Sequence, residues 1–303
     1  MNNIITKQNE PKLIRLLQAQ HVAYSDAKTY YWIDALSVLL VLIAFCAQVF
    51  GWKCKILPKC LCEFGCKNIL AVLGVVLWMV TQWISEWRAD AIKKGAIIQE
   101  MFDVALFELS WNEIKIPQKI LMDDIVSLST RCPKINFSNW YSTEISADLP
   151  YNIAILLCFR NNIAWGIKDN EKYTRILSAF LFIFVLILLI DGIFNQKSFS
   201  GTLLLIAPCI SLLRYCIDAI KNHRAFIKKH KDLAAVIQKW LDKYAKSTVE
   251  PSVYELRQLQ DEFFIQRTTM AKIPDWFHYM HKQETNVSVE KVLKNIIDTF
   301  KKT

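Results

Sequence analysis

The sequence predicts an all-α membrane protein, with four transmembrane helices in two hairpins and cytosolic helical extensions. Three observations carry this prediction. Four apolar runs, Trp32 to Gly51, Asn68 to Glu86, Ile176 to Asn195 and Gly201 to Ile220, form two closely spaced pairs around a long polar middle. Each is about 18 to 20 residues long, which at 1.5 Å rise per residue matches a hydrocarbon core of roughly 30 Å. Leu181 to Ile190 is apolar on every helical face, whereas a helix on the core of a water-soluble protein keeps a polar stripe. Finally, 53% of the 303 residues are hydrophobic and the mean hydropathy is +0.21. That is high for a soluble domain and low for a chain lying mostly in lipid, so roughly a quarter is read as spanning.

Residues 1–31 form a cytosolic N-terminal amphipathic segment. Pro11 suits the first turn of a helix, and Leu13, Leu16, Leu17 and Val22 approximate one apolar face from Lys12 to Thr29. No small-x-small cleavage pattern follows the first apolar run, so that run is read as retained. Residues 32–86 are the first transmembrane hairpin, with a cysteine- and lysine-rich outer loop. The second run has no Gly or Pro where it ends at Glu86, and its helical pattern continues through Ile97, Ile98, Met101, Phe102, Leu106 and Phe107.

Residues 87–175 are a cytosolic middle region. Pro117, Pro133 and Pro150 break the pattern there, and Ile153 to Asn162 resumes as a short apolar helix. Residues 176–220 are the second hairpin. Residues 221–303 are a cytosolic helical region in which the fourth run continues through Phe226, Leu233, Val236, Ile237, Trp240 and Leu241. Further helices are expected from about Val253 to Met270 and from about Val287 to Phe300.

Lys and Arg orient the chain, because cytoplasmic flanks hold the positive excess. The N-terminal segment, middle region and C-terminal region carry 4, 11 and 16 of the 37 Lys and Arg. They share one side of an even-spanned protein, and that side is read as cytoplasmic. The outer loop opposes this reading with Lys53, Lys55, Lys59 and Lys67. The net charge of +9 lacks the aromatic-interleaved basic stripe of a nucleic-acid face. No nucleic acid is therefore expected, and anionic headgroups of the lipid bilayer are the more economical partner.

Cys54, Cys60, Cys62 and Cys66 are the one clustered-cysteine signal. In an oxidising exterior they could close the outer loop by disulfides; free thiols and a zinc site remain alternatives, the last disfavoured by spacing that supplies only half a knuckle. Cys46, Cys132, Cys158, Cys209 and Cys216 read as buried small hydrophobes. His223, His230, His278 and His281 lack ligand-spaced partners and are expected at the surface. No phosphate loop, nucleophile elbow or zinc-protease motif occurs, so no enzyme, cofactor or metal is expected. Asp34, Gln48, Gln82, Asp191, Arg214 and Asp218 lie in or beside the spans. An ionisable group at that depth either snorkels and bonds a neighbouring helix or lines and gates a pore.

Several phrases occur in a characteristic order: Gln8-Asn-Glu-Pro11 before Leu16-Leu-Gln-Ala-Gln20 and Tyr24-Ser-Asp-Ala-Lys28, then Phe107-Glu-Leu-Ser-Trp111, Asn139-Trp-Tyr-Ser142, Arg160-Asn-Asn162 and Ile273-Pro-Asp-Trp-Phe277. With the two-plus-two layout, this order resembles the SMODS-associated four-transmembrane effector family of bacterial nucleotide-triggered defence systems. The resemblance implies a dormant pore-forming effector of the bacterial inner membrane, encoded beside a nucleotidyltransferase and released by a cyclic nucleotide or a partner protein. It supplies no ligand-binding residues. Four spans can hardly enclose a wide lumen, so a pore implies a homo-oligomer. A non-pore membrane-anchored scaffold or sensor with a cytosolic partner-binding module is the alternative. A small transporter ranks last, since only Pro208 resembles the broken spans it needs.

Overall fold

The computed structural model describes residues 2–49, 66–145, 147–194, 209–247, 249–269 and 273–301. Among them all regular structure is helical: α1 (Ile4–Lys7), α2 (Pro11–Val49), α3 (Cys66–Phe107), α4 (Met122–Thr130), α5 (Tyr151–Phe194), α6 (Cys209–Tyr244), α7 (Val253–Thr269) and α8 (Asp275–Lys301).

The long helices follow from where breakers are absent. Nothing between Pro11 and Val49 is Gly or Pro, so the amphipathic segment and the first apolar run are one helix. Helix α3 stops at Phe107 because Glu108 takes a left-handed conformation (φ 53°), which lets the Leu109 amide reach the Val104 carbonyl at 3.2 Å. The short helix expected over 153–162 is instead the first third of α5. No Pro follows Pro150 in it, and Gly166, a weak helix former, sits against the His230 ring, which a Cβ there would meet at 3.3 Å. Helix α4 was hidden among the prolines of the middle region. It is one short amphipathic piece that buries Ile125 and Leu128.

The chain divides into two units. The first comprises Met1–Asp26, Asp90–Tyr173 and Asn222–Thr303; the second comprises Ala27–Ala89 and Thr174–Lys221. In the first, Ile153 through Phe159 are buried without interruption, so the start of α5 is the axis of the core. An apolar helix turn buried on all faces must be surrounded. Residues from α2, α3, α4, α6, α7 and α8 surround it, with aromatic contacts from Phe107 to Phe159 (5.4 Å) and Phe159 to Phe263 (5.0 Å).

The second unit has the opposite character. Its described side chains include many large apolar groups facing outward, among them Trp32, Trp83 (59% exposed), Trp87, Phe182 (66%), Ile187 and Phe194 (82%). Among the described residues, no helix is long and apolar enough to cross a membrane. Each of the four apolar runs includes residues or side chains outside that description, residues 195–208 among them.

Candidate functional site

The densest polar cluster lies inside the first unit, where α3 faces α7. Glu100 and Asp103 sit one helical turn apart on α3, both with no exposure. On α7, Arg257, Gln260, Asp261 and Arg267 recur at helical spacing, so they point the same way. Arg257 Nη2 donates to Glu100 Oε1 at 2.6 Å and to Asp261 Oδ1 at 2.8 Å, while its Nη1 donates to the Ser110 carbonyl at 3.0 Å. Gln260 Nε2 bridges the two α3 carboxylates, at 2.5 Å to Glu100 Oε2 and 3.2 Å to Asp103 Oδ2. Arg267 Nη1 lies 2.6 Å from Asp103 Oδ2.

Asp103 also accepts the Tyr141 hydroxyl at 2.8 Å, and that hydroxyl in turn accepts from Asn162 Nδ2 at 3.1 Å. Tyr141 is held from a second side by Gln8: its amide donates to Gln8 Oε1 at 2.7 Å and its carbonyl accepts from Gln8 Nε2 at 3.3 Å. Next to it, Asn9 and Asn139 exchange two hydrogen bonds, of 3.0 and 2.9 Å, which fix Asn139 in a left-handed turn (φ 56°).

Electrostatics match this geometry. Burial pushes the Tyr141 phenol well above its usual pKa, and Asp103 pushes it further, so it stays a neutral donor. Burial raises the Glu100 pKa, opposed by Arg257. Burial works against the charge of Arg267, yet Asp103 and the neighbouring acids keep its pKa above the ordinary value. The Cys158 thiol is pushed up by burial and is an unreactive thiol. No nucleophile is paired with a base in this cluster. Its groups hold helices in register; removing one partner strands a charge. Among the described residues, no group of three or more His, Cys, Asp or Glu could hold a metal ion.

A second polar cluster joins α5, α6 and α8. His223 and His230 are buried, which corrects the expectation of surface histidines. They fall on the face of α6 that also buries Phe226 and Leu233, and burial lowers each to a pKa of about 4. His223 Nδ1 is 2.6 Å from Asn170 Oδ1, whose amide nitrogen donates to the Gly166 carbonyl, so the ring nitrogen is the donor. His278 pairs with Asp169 at 2.7 Å, and Thr285 donates to the same carboxylate at 3.2 Å.

Of the candidate pore or gating residues, Arg214 and Asp218 are described, and they form an exposed i,i+4 pair at 3.7 Å. The side chains of Asp34, Gln48, Gln82 and Asp191 lie outside the described residues, as do Cys54, Cys60, Cys62 and the side chains of Cys46, Cys66 and Cys209. Cys158 and Cys216 are buried free thiols and Cys132 is a half-buried one. The sequence pattern alone does not single out Glu100 and Asp103 of the α3–α7 network, because neither belongs to a ligand or catalytic motif. Their position inside the apolar stripe Ile97, Ile98, Met101, Phe102 and Leu106 was the available signal.

A family model described as the SMODS-associating 4TM effector domain matches residues 2–296. A protein named "Probable CBASS effector molecule", from Bacillus cereus (strain VD146), is 24% identical over 309 residues, covering 99% of each chain. No solved structure matches the chain.

Proposed function

Since the chain belongs to the SMODS-associating 4TM effector family, we propose that it is an effector of a CBASS-like anti-phage defence system, seated in the bacterial inner membrane and permeabilising it when triggered. The full-length similarity to the protein named "Probable CBASS effector molecule" supports the defence role. The observation that carries the membrane role is the outward-facing apolar surface of the second unit, with Phe182, Ile183, Ile187, Ile190 and Phe194 all exposed along α5. In water a run of exposed large apolar side chains of this kind marks an interaction surface or an aggregation liability; in lipid it is solvated. Exposed Trp32, Trp83 and Trp87 suit the interfacial level, where an indole meets both headgroups and hydrocarbon.

The first unit supplies the control element in this reading. Its core and its α3–α7 charge network define one resting arrangement, and α3, α5 and α6 continue without a break from that unit into the second. A signal with higher affinity for another arrangement, a cyclic nucleotide or a nucleotidyltransferase-linked partner, shifts the population. Several copies assemble to enclose a pore. The effector acts without catalysis.

The test is membrane potential in cells carrying the chain with its cognate nucleotidyltransferase. Triggering is expected to depolarise cells that contain both and to leave either single control polarised. Sustained polarisation after triggering, with the chain in the membrane fraction, would replace this reading with that of a non-pore anchor or sensor.

A further inference from the structure

Helix α6 carries two faces of opposite character over the turns that follow Ile217. One face buries His223, Phe226, His230 and Leu233. The other presents Lys221, Arg224 and Lys228 at i, i+3 and i+7, with Lys229 at its edge, and all four are exposed. From Ala219 to Lys231 the helix contains no acid. Lys231 is paired with Glu171 at 2.6 Å. Arg224, Lys228 and Lys229 have no ion pair within 4 Å among the described residues. The two histidines on the buried face are neutral near pH 7, with pKa values of about 4, so the charge of these turns lies wholly on the outer face.

We propose that Arg224, Lys228 and Lys229 form a docking surface for the phosphate headgroups of anionic phospholipids. The inference rests on the membrane reading above. Ile217, exposed and apolar, is on the same face of α6. Arg224 lies roughly 10 Å further along the helix axis, at 1.5 Å per residue. Long basic side chains reach back toward the interface while their stems cover apolar surface, and anionic headgroups act within about a Debye length of it. A nucleic acid fits this face less well, because Asn222 and Ala225 are its other exposed residues and no exposed aromatic lies between the charges.

The full chain, purified in a zwitterionic detergent, is titrated with short-chain phosphatidylglycerol, short-chain phosphatidylcholine and inorganic phosphate, and bound molecules are counted by native mass spectrometry. The expected result is preference for phosphatidylglycerol. Arg224→Gln/Lys228→Gln/Lys229→Gln should weaken it by on the order of 100-fold, since each basic residue near an anionic surface contributes about 1 kcal/mol, roughly fivefold. Lys239→Gln/Lys246→Gln/Lys291→Gln removes the same charge elsewhere and should leave binding within about twofold on the same reasoning. Arg224→Lys/Lys228→Arg/Lys229→Arg should bind as wild type, which separates loss of charge from loss of folding.

Equal loss in both neutralised triple variants, equal binding of phosphatidylcholine, or displacement of phosphatidylglycerol by matching concentrations of inorganic phosphate would each overturn the proposal. Fractionation separates its failure from that of the membrane reading. A chain found in the soluble fraction refutes membrane residence, while the stripe still stands if phosphatidylglycerol binding to that soluble chain is lost in the first triple variant. It falls if that binding is absent or unaffected.

Discussion

Arg267 Nη1 and Asp103 Oδ2 lie 2.6 Å apart in the interior of the helical unit, with Asp103 fully buried and Arg267 nearly so. An ion pair in that setting adds little over two well-packed apolar side chains, but losing one member strands the other's charge. The pair therefore makes the docking of α7 on α3 all-or-none, which suits a resting state that must be held firmly and released as a unit.

Asp103→Leu or Arg267→Met should each destabilise the helical unit by about 3–5 kcal/mol. Asp103→Leu/Arg267→Met, which removes both charges, should cost much less than the two single changes added together. Thermal unfolding of the purified chain followed by far-UV circular dichroism reads the difference. Strict additivity would mean that the two charges are not coupled.

Gly95 is required by close approach. A Cβ there would stand 2.7 Å from the Tyr24 ring, whose hydroxyl donates to Gln99 at 3.1 Å and so resists moving aside. Gly95→Ala should cost about 1–3 kcal/mol by overpacking, despite its gain in helix propensity. Adding Tyr24→Leu should recover part of the loss in the same melting experiment. A stabilised Gly95→Ala chain would show that the helices can separate freely.

Gln8→Ala removes both side-chain partners of the Tyr141 backbone, leaving a buried amide and carbonyl unmatched. The expected loss is about 1–3 kcal/mol for each stranded group. Gln8→Glu keeps the acceptor but not the donor and should fall between wild type and Gln8→Ala. Urea titration of the three proteins orders them.

Acid should loosen the same unit. His223 and His230 bind fewer protons folded than unfolded between pH 4 and 6.5, so stability rises with pH across that window and is lost on acidification. Each contributes at most about 3 kcal/mol at one pKa unit per 1.36 kcal/mol. Groups facing them are Tyr173 and Asn170 for His223, and Phe226, Phe263 and the Arg267 charge for His230. Glu100 acts in the opposite sense: its raised folded pKa lowers stability as pH climbs through the carboxylate range. His223→Gln/His230→Leu should flatten the melting temperature between pH 6.5 and 5. An unchanged slope would place the acid sensitivity elsewhere.

Much of this architecture was readable from one sequence. The second and fourth apolar runs end without a Gly or Pro, which predicted that α3 and α6 continue past them, whereas the junctions inside α2 and α5 were not predicted. Gln8, Phe107, Tyr141 and Asn162 belong to the phrases that carried the family resemblance. Their order was legible, but the convergence of Gln8, Phe107 and Asn162 on Tyr141 was not, because periodicity reports which face a residue occupies and never what that face meets. Glu100 and Asp103 escaped notice for the same reason: a carboxylate on an apolar stripe is tolerable only if a partner comes from another helix, and α7 lies more than 140 residues away in sequence. His223 and His230 could have been placed by their register with Phe226 and Leu233. Asp34, Gln48, Gln82 and Asp191 remain candidates for a pore or gate, to be tested by substitution under the depolarisation assay.

The most direct test of the membrane account compares two exposed apolar residues, Phe182 in the second unit and Ile114 (93% exposed) in the first. A photo-crosslinking amino acid is placed at each position in turn, and adducts from intact cells are identified by mass spectrometry. The account predicts phospholipid adducts at Phe182 and none at Ile114. Recovery of the Phe182 variant in the soluble fraction, without lipid adducts, would contradict it.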